Sequence, residues 1–247
     1  MARLGGTAIE VTETKVQPGM SWPESLVDTI RSTSGWCDAL VLRHPSPEEF
    51  QTAVEASEVP VINGGSGCEH HPTQALLDLF AIRRRFGRLE DLRIGIAGNL
   101  GGSRAARSLV EALAHFPPRE LRLMFPPGRE LPGSVLAGFD GTRLDVRQDL
   151  AVEELDILYM AGLPEGAGDA RLDEAIRRRF RLTRARAEAL DPGALVLDPL
   201  PRIDEIEPEV DALPAAGYFA QSREALFVRC AVLERVLAAG SILARGT

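Results

Sequence analysis

VINGGSGCEHHPTQALLDLF, residues 61–80, compresses a strand, a turn and a helix start into one stretch. A strand-like apolar run ends in a glycine-rich turn. Two histidines, Pro72 and a polar pair follow, and an apolar-periodic segment begins. Proline suits the first helical position because its missing N–H would have no partner there. The spacing therefore puts His71 and Gln74 near the opening turn of a helix that follows the carboxyl end of a strand. Open α/β sheets bind ligands at such ends, and the free N–H groups of a first helical turn favour anions. Gln74 offers an amide donor and an acceptor, and His71 can donate to a carbonyl oxygen. A plainer reading makes His70 and His71 a helix cap with no ligand.

Outward from this stretch, short apolar runs alternate with periodic ones. Strands are expected at 8–11, 39–42, 59–62, 92–97, 121–125, 144–146, 157–160 and 194–197. Helices are expected at 24–33, 47–56, 73–86, 103–114, 170–177, 185–190 and 223–238. Val-, Ile- and Leu-rich strands separated by helices point to parallel sheets covered on both faces. A boundary near Gly87–Glu90 divides the chain into a domain at 1–88, with about three strands, and one at 89–222, with about five. The apolar set Ala225, Leu226, Val228, Val232, Leu233, Val236 and Leu237 lets a last segment, 223–247, fold back on the first domain.

The 247 residues are 45% hydrophobic and 26% charged, enough to bury a real core. A net charge of -8 and a pI of about 5.2 leave no basic patch for nucleic acid. Arg83–Arg85 and Arg177–Arg179 read as solvated helix ends. Cys37, Cys68 and Cys230 have neither metal-ligand spacing nor the number for a disulfide framework. Without a leader or a membrane-length apolar run, a soluble cytoplasmic protein is expected.

Three further places carry candidate chemistry. Arg43, in Leu42-Arg43-His44-Pro45, follows a strand and can fork onto phosphate or carboxylate. Gly98-Asn99-Leu100-Gly101-Gly102-Ser103-Arg104 brings Arg104 into a first helical turn, but its glycines miss the dinucleotide spacing. Leu197-Asp198-Pro199-Leu200-Pro201-Arg202-Ile203-Asp204-Glu205-Ile206 is a proline-stiffened loop after a strand. In it, the carbonyls of Leu200 and Pro201 can face a ligand's amino group, and Asp204 and Glu205 can pair with Arg202.

Together RHP at 43–45, VPVINGG at 59–65, HPTQALLDLF at 71–80, GNLGGSR at 98–104, DILYM at 156–160, LDPLPRIDEI at 197–206 and AGYFAQSREALFVRCAVL at 216–233 resemble the aspartate/ornithine carbamoyltransferase family, its aspartate branch in particular. The resemblance runs in order along nearly the whole chain. It implies two Rossmann-like α/β domains with parallel sheets, the first lacking its usual N-terminal elements, and an active site in the cleft between them. It also implies a trimer, a small-molecule substrate, and no cofactor, metal, nucleic acid or membrane. The family moves a carbamoyl group from carbamoyl phosphate to an amine, mainly by positioning and electrostatics. By resemblance Arg43 contacts the phosphate and the carbamoyl oxygen, His71 polarises that carbonyl and Gln74 holds the amide. Arg104 receives the α-carboxylate of aspartate, and Leu200 and Pro201 line the carbamoyl site.

Several positions depart from the family pattern. Its phosphate loop, Ser-Thr-Arg-Thr-Arg, is absent. Trp22 stands where a neighbouring subunit's lysine is usual, and its companion serine falls near Pro18. Gly162 stands where an arginine grips the side-chain carboxylate of aspartate, Pro164 replaces a glutamine, and Asp198 replaces a histidine. Too few donors remain to neutralise a phosphate dianion and a dicarboxylate together, at about 1.5–3 kcal/mol per charged hydrogen bond. Three functions follow. One is a diverged enzyme keeping Arg43, His71 and Gln74 for a less anionic, carbonyl- or amide-bearing, amino-acid-derived substrate, with Trp22 as an apolar wall and Glu69 or Asp198 as a base. The second is a non-catalytic or partner-dependent subunit, and the third is carbamoyl transfer with a hetero-partner supplying the missing loop.

Overall fold

The computed structural model describes residues 1–11, 25–67, 69–163 and 173–244, the last five of these by backbone alone. The chain divides into two compact units, one of residues 1–67 and 226–247, the other of residues 68–225.

In the first unit, α1 (Leu26–Ser34) and α2 (Pro47–Ala56) accompany a parallel pair, β1 (Leu40–His44) and β2 (Val61–Ser66), with Leu40 opposite Val61. Ser25 and Ser46 start the two helices by accepting the N–H of Asp28 and Glu49, which satisfies donors that a first turn leaves bare. The run 8–11 is no strand. Ile9 and Val11 are exposed there, and among the described residues no strand pairs with the run. Among the described residues the first unit thus holds two strands where three were expected.

The second unit carries a five-stranded parallel sheet in the order β5-β4-β3-β6-β7. Its strands are β3 (Arg93–Gly98), β4 (Glu120–Met124), β5 (Arg143–Arg147), β6 (Ile157–Gly162) and β7 (Leu195–Leu197). All five lie where the apolar runs predicted them. Alternate residues feed two cores. Ile94, Ile96, Leu121, Leu123, Ile157 and Tyr159 pack with Ile82 of α3 (Pro72–Phe86) and Leu109 and Leu113 of α4 (Arg104–Leu113). Ala97, Met124, Leu158, Met160 and Val196 pack with Phe180 at the end of α5 (Glu174–Phe180), Leu182, and Ala187 of α6 (Arg184–Glu188). Tyr218, the first residue of α7 (Tyr218–Ala244), joins the second core. Burial on both faces explains why β3, β6 and β7 read as near-continuous apolar runs, while the edge strand β5 is largely exposed.

One charged cluster is built into this sheet. Arg122 of β4 bonds Asp145 at 2.9 Å, Glu120 at 2.9 Å and the carbonyls of Ala151 and Glu153. Those partners satisfy a guanidinium that would be costly to bury alone.

The strand order reverses between β3 and β6, where α/β sheets open a crevice at the carboxyl ends. Backbone approaches backbone there. Gly98 has φ +134°, and a Cβ on it would stand 2.1 Å from the Gly162 carbonyl oxygen. The same oxygen accepts the Asn99 N–H at 2.7 Å. Gly98→Ala is expected to destabilise the protein by about 3 kcal/mol or more through strain and displaced backbone. Urea unfolding of the variant beside the wild type measures this.

Candidate active site

α3 starts at Pro72, as its first-turn proline predicts, with His71 as the preceding residue. The His71 carbonyl accepts the N–H of Gln74 and Ala75, and its own N–H donates to Ser108 Oγ at 2.8 Å. Its imidazole does not cap the helix; Nδ1 lies 3.4 Å from Thr73 Oγ1 and the side chain is half-buried. His70 lies between Glu69 at 3.8 Å and Glu111 at 3.3 Å. Glu69 is also within 3.8 Å of Arg107.

Gln74 and Asp78 are one helical turn apart, so their side chains share a face. Gln74 Nε2 donates to Asp78 Oδ1 at 2.8 Å. The same oxygen accepts Gln221 Nε2 of α7 at 2.5 Å. Gln221 Oε1 in turn accepts the N–H of Asp198, and Asp198 Oδ1 accepts the N–H of Leu200 at 2.6 Å. One chain of hydrogen bonds therefore joins the start of α3, the start of α7 and the loop after β7. It fixes the Gln74 amide with nitrogen inward. Gln74 Oε1 has no hydrogen-bond partner among the described residues, which leaves it able to accept from a ligand N–H.

This network lies in the interior. Asp78, Gln74, Asp198, Gln221 and Tyr159 are all buried. Among the described residues Asp78 Oδ2, Asp198 Oδ2 and the Tyr159 hydroxyl have no hydrogen-bond partner. Burial pushes the Asp78 carboxyl up to about 7, against the opposing pull of the Gln74 and Gln221 amides. Burial also pushes Asp198 up to about 7, opposed by the Leu200 N–H and helped by the nearby charge of Glu205. Tyr159 lies close enough to favour the charged form of Asp78, without meeting it in hydrogen-bond geometry. Its own hydroxyl is raised well above the usual tyrosine range by burial and by Asp78 and Asp198.

The loop after β7 is held at two points. Leu200, at φ 50°, is fixed through Asp198. Arg202 grips Asp211, with Nη2 at 2.8 Å from Oδ2, and reaches the Tyr218 hydroxyl at 3.3 Å. The expected pairing of Arg202 with Asp204 and Glu205 is therefore replaced. Asp204 sits 3.3 Å from Arg177 and 3.5 Å from Arg181. Arg177 is consequently no solvated helix end. Glu205 Oε2 accepts the N–H groups of Ile203 and Asp204, both at 2.9 Å.

Six of the eight expected site residues fall in the second unit. His71 and Gln74 stand at the start of α3, Arg104 on the first turn of α4, and Asp198, Leu200 and Pro201 after β7. Of these, Gln74, Asp198 and Leu200 are joined by the buried network. Arg43 is exposed on β1 of the first unit. Trp22, Pro18 and Pro164 lie outside the described residues. Sequence reasoning missed Asp78, Tyr159 and Gln221. The four-residue spacing from Gln74 to Asp78 was a usable signal, whereas Gln221 lies 143 residues from Asp78 and has none.

Residues 1–84 match the model of the aspartate/ornithine carbamoyltransferase carbamoyl-P binding domain. Residues 90–236 match that of the Asp/Orn binding domain. The chain belongs to the aspartate/ornithine carbamoyltransferase family. It is 40% identical to the aspartate carbamoyltransferase catalytic subunit of Methanocorpusculum labreanum, over 96% of this chain and 79% of that one. Among solved structures, the catalytic subunit of M. Jannaschii aspartate transcarbamoylase matches with TM-score 0.84 and 34% identity, over 97% of this chain and 79% of that one. Aspartate transcarbamoylase from Trypanosoma cruzi in complex with carbamoyl phosphate matches with TM-score 0.87 and 31% identity, over 94% and 76%. Two α/β units with parallel sheets are the architecture of this family. Among the described residues no helix is long and apolar enough to cross a membrane.

The raised carboxyl pKa values set the sign of a pH effect. An unfolded Asp titrates near 3.9, so between about pH 4 and pH 7 the folded state holds protons that the unfolded chain has lost. The contribution is complete below pH 4, falls as pH rises toward 7 and levels off above. Each unit of pKa difference corresponds to about 1.4 kcal/mol. Asp78→Asn is expected to make the fall in unfolding free energy between pH 5 and pH 8 shallower than in the wild type. Urea titrations at both pH values would contradict this if the slopes were equal.

Proposed function

We propose that this chain is a diverged carbamoyltransferase that keeps the groups handling a carbonyl and its amide but takes an acceptor other than aspartate. The observation that carries the reading is the Gln74 amide, clamped through its nitrogen by a buried carboxylate and left with its oxygen as an acceptor. An N–H of a carbamoyl group fits that acceptor. In this reading His71 polarises the carbonyl oxygen, the backbone carbonyls of Leu200 and Pro201 take the remaining amide N–H, and Arg43 meets the phosphate. Arg104 receives the α-carboxylate of the acceptor. The acceptor nitrogen bonds to the carbonyl carbon, the bond from that carbon to the phosphate oxygen breaks, and one amine proton is released. Asp198, buried, acts through the Leu200 N–H and touches no substrate.

Gly162 supports an altered acceptor. It has no side chain to bind a second carboxylate, and a Cβ there would come within 3.0 Å of Glu205 Oε1. An anion at that place meets a carboxylate. Because the relatives are catalytic subunits by name, an oligomer of this chain belongs to the reading. The trimer that the resemblance implies, or assembly with a hetero-partner, is the form expected.

Calorimetric titration of the full chain with carbamoyl phosphate tests the reading. Sub-millimolar binding is expected, weakened at least tenfold by His71→Ala or Arg43→Ala, with the melting temperature preserved. Binding no tighter than millimolar in the wild type would overturn it. Turnover of L-aspartate at the rate of the aspartate-specific relatives would overturn the altered acceptor.

A further inference from the structure

The 68–225 unit holds a small pocket at the place where the acceptor's side chain would lie in the preceding reading. It has about 60 Å³ of room beside Gly162, with Leu163 and Pro201 among its walls. A water needs about 10–15 Å³ of such space, so the pocket admits a small polar head and the last one or two methylenes of a ligand. Its polar inventory is acidic: Asp204 and Glu205 both line it.

The two carboxylates are not equivalent. Asp204 is answered by the guanidinium groups of Arg177 and Arg181. Glu205 is 8% exposed, and no cation pairs with it among the described residues. Its Oε2 is used by two backbone N–H groups, and its Oε1 has no hydrogen-bond partner among the described residues. That free oxygen lies over the Cα of Gly162, where any side chain would crowd it. A carboxylate held in place by its other oxygen, with this one facing a pocket and no protein cation on it, is ready to accept from an ammonium group. The apolar walls suit the methylene stem that carries such a cation.

We propose that Glu205 and the bare backbone of Gly162 form a subsite for a protonated primary amine at the end of a short side chain. The acceptor is then a small diamino acid and not a dicarboxylate. The identity of the acceptor rests on the preceding reading of Arg104; the amine subsite itself does not. The amine in this pocket is bound, not consumed.

The test separates this role from a loop brace. Glu205→Gln keeps an oxygen to accept the Ile203 and Asp204 N–H groups but removes the charge. The full chain, labelled for ¹H–¹⁵N NMR, is titrated with L-2,4-diaminobutyrate, with L-2-aminobutyrate, which lacks the terminal amine, and with L-aspartate. The diamino acid is expected to bind at least tenfold tighter than either of the others and to shift the Ile203 and Asp204 amide signals. Glu205→Gln is expected to erase that advantage at unchanged melting temperature. Equal or tighter aspartate binding, an advantage kept in Glu205→Gln, or unmoved Ile203 and Asp204 signals would each overturn the subsite. If the variant does not fold, the three wild-type titrations decide. Carbamoyl phosphate binding that depends on His71, without any diamino preference, defeats this inference alone. A diamino preference with no carbamoyl phosphate binding defeats only the preceding reading.

Discussion

A single oxygen, Asp78 Oδ1, organises the second unit's chemistry. It accepts amide N–H groups from Gln74 and Gln221, which come from helices at opposite ends of the unit's sequence. Two donors on one buried carboxylate oxygen explain why this acid is tolerated in an interior of leucine and isoleucine. They also explain why the Gln74 amide has one orientation. A buried amide free to flip would present a donor as readily as an acceptor. Here nitrogen is committed inward, and the outward chemistry is settled before any ligand arrives. Such preorganisation removes ordering that binding would otherwise have to supply.

Desolvation and hydrogen bonding oppose each other at this point, and desolvation prevails. Asp78 and Asp198 both remain weak acids by comparison with exposed aspartates. Their unanswered oxygens, together with the Tyr159 hydroxyl, are the expected signature of carboxyls that hold protons near neutrality. Where the family pattern has a histidine at the Asp198 position, this chain places an acid that holds Leu200 through a backbone N–H. The Leu200 contact is thereby tied to the proton count of the network.

Much of the fold was legible in the sequence, and the reasons are specific. The central strands β3 and β6 are apolar on both faces and bounded by turn residues, so their runs stood out, whereas the exposed edge strand β5 showed only as Leu144 and Val146 between charged residues. Pro72 marked the start of α3, and Ser46-Pro47 that of α2. The segment 8–11 shows where local pattern fails. Its residues have strand propensity but no pairing neighbour among the described residues, and propensity alone forms no ladder. The placement of His71, Gln74 and Arg104 at helix starts was legible because each lies in a contiguous motif. The site was illegible where polar groups meet from distant elements. Gln221 and Tyr159 reach Asp78 only because α7 and β6 pack there. Likewise the partners of Asp204 and Arg202 were exchanged relative to expectation, because nearness in sequence is a poor guide to which arginine can reach which acid.

The loop following β7 is tethered on either side of its tip, through Asp198 to Leu200 and through Asp211 to Arg202. The three residues beyond the second tether, 203–205, also brace themselves, since Glu205 holds the backbone of its two predecessors. Under the amine subsite proposed above, scaffold and selectivity are separable in this chain. A descendant sequence can rewrite that tripeptide while every strand, Asp78 and Asp198 stay in place. Paralogues that share this sheet yet differ in what they accept are the natural product of such a layout.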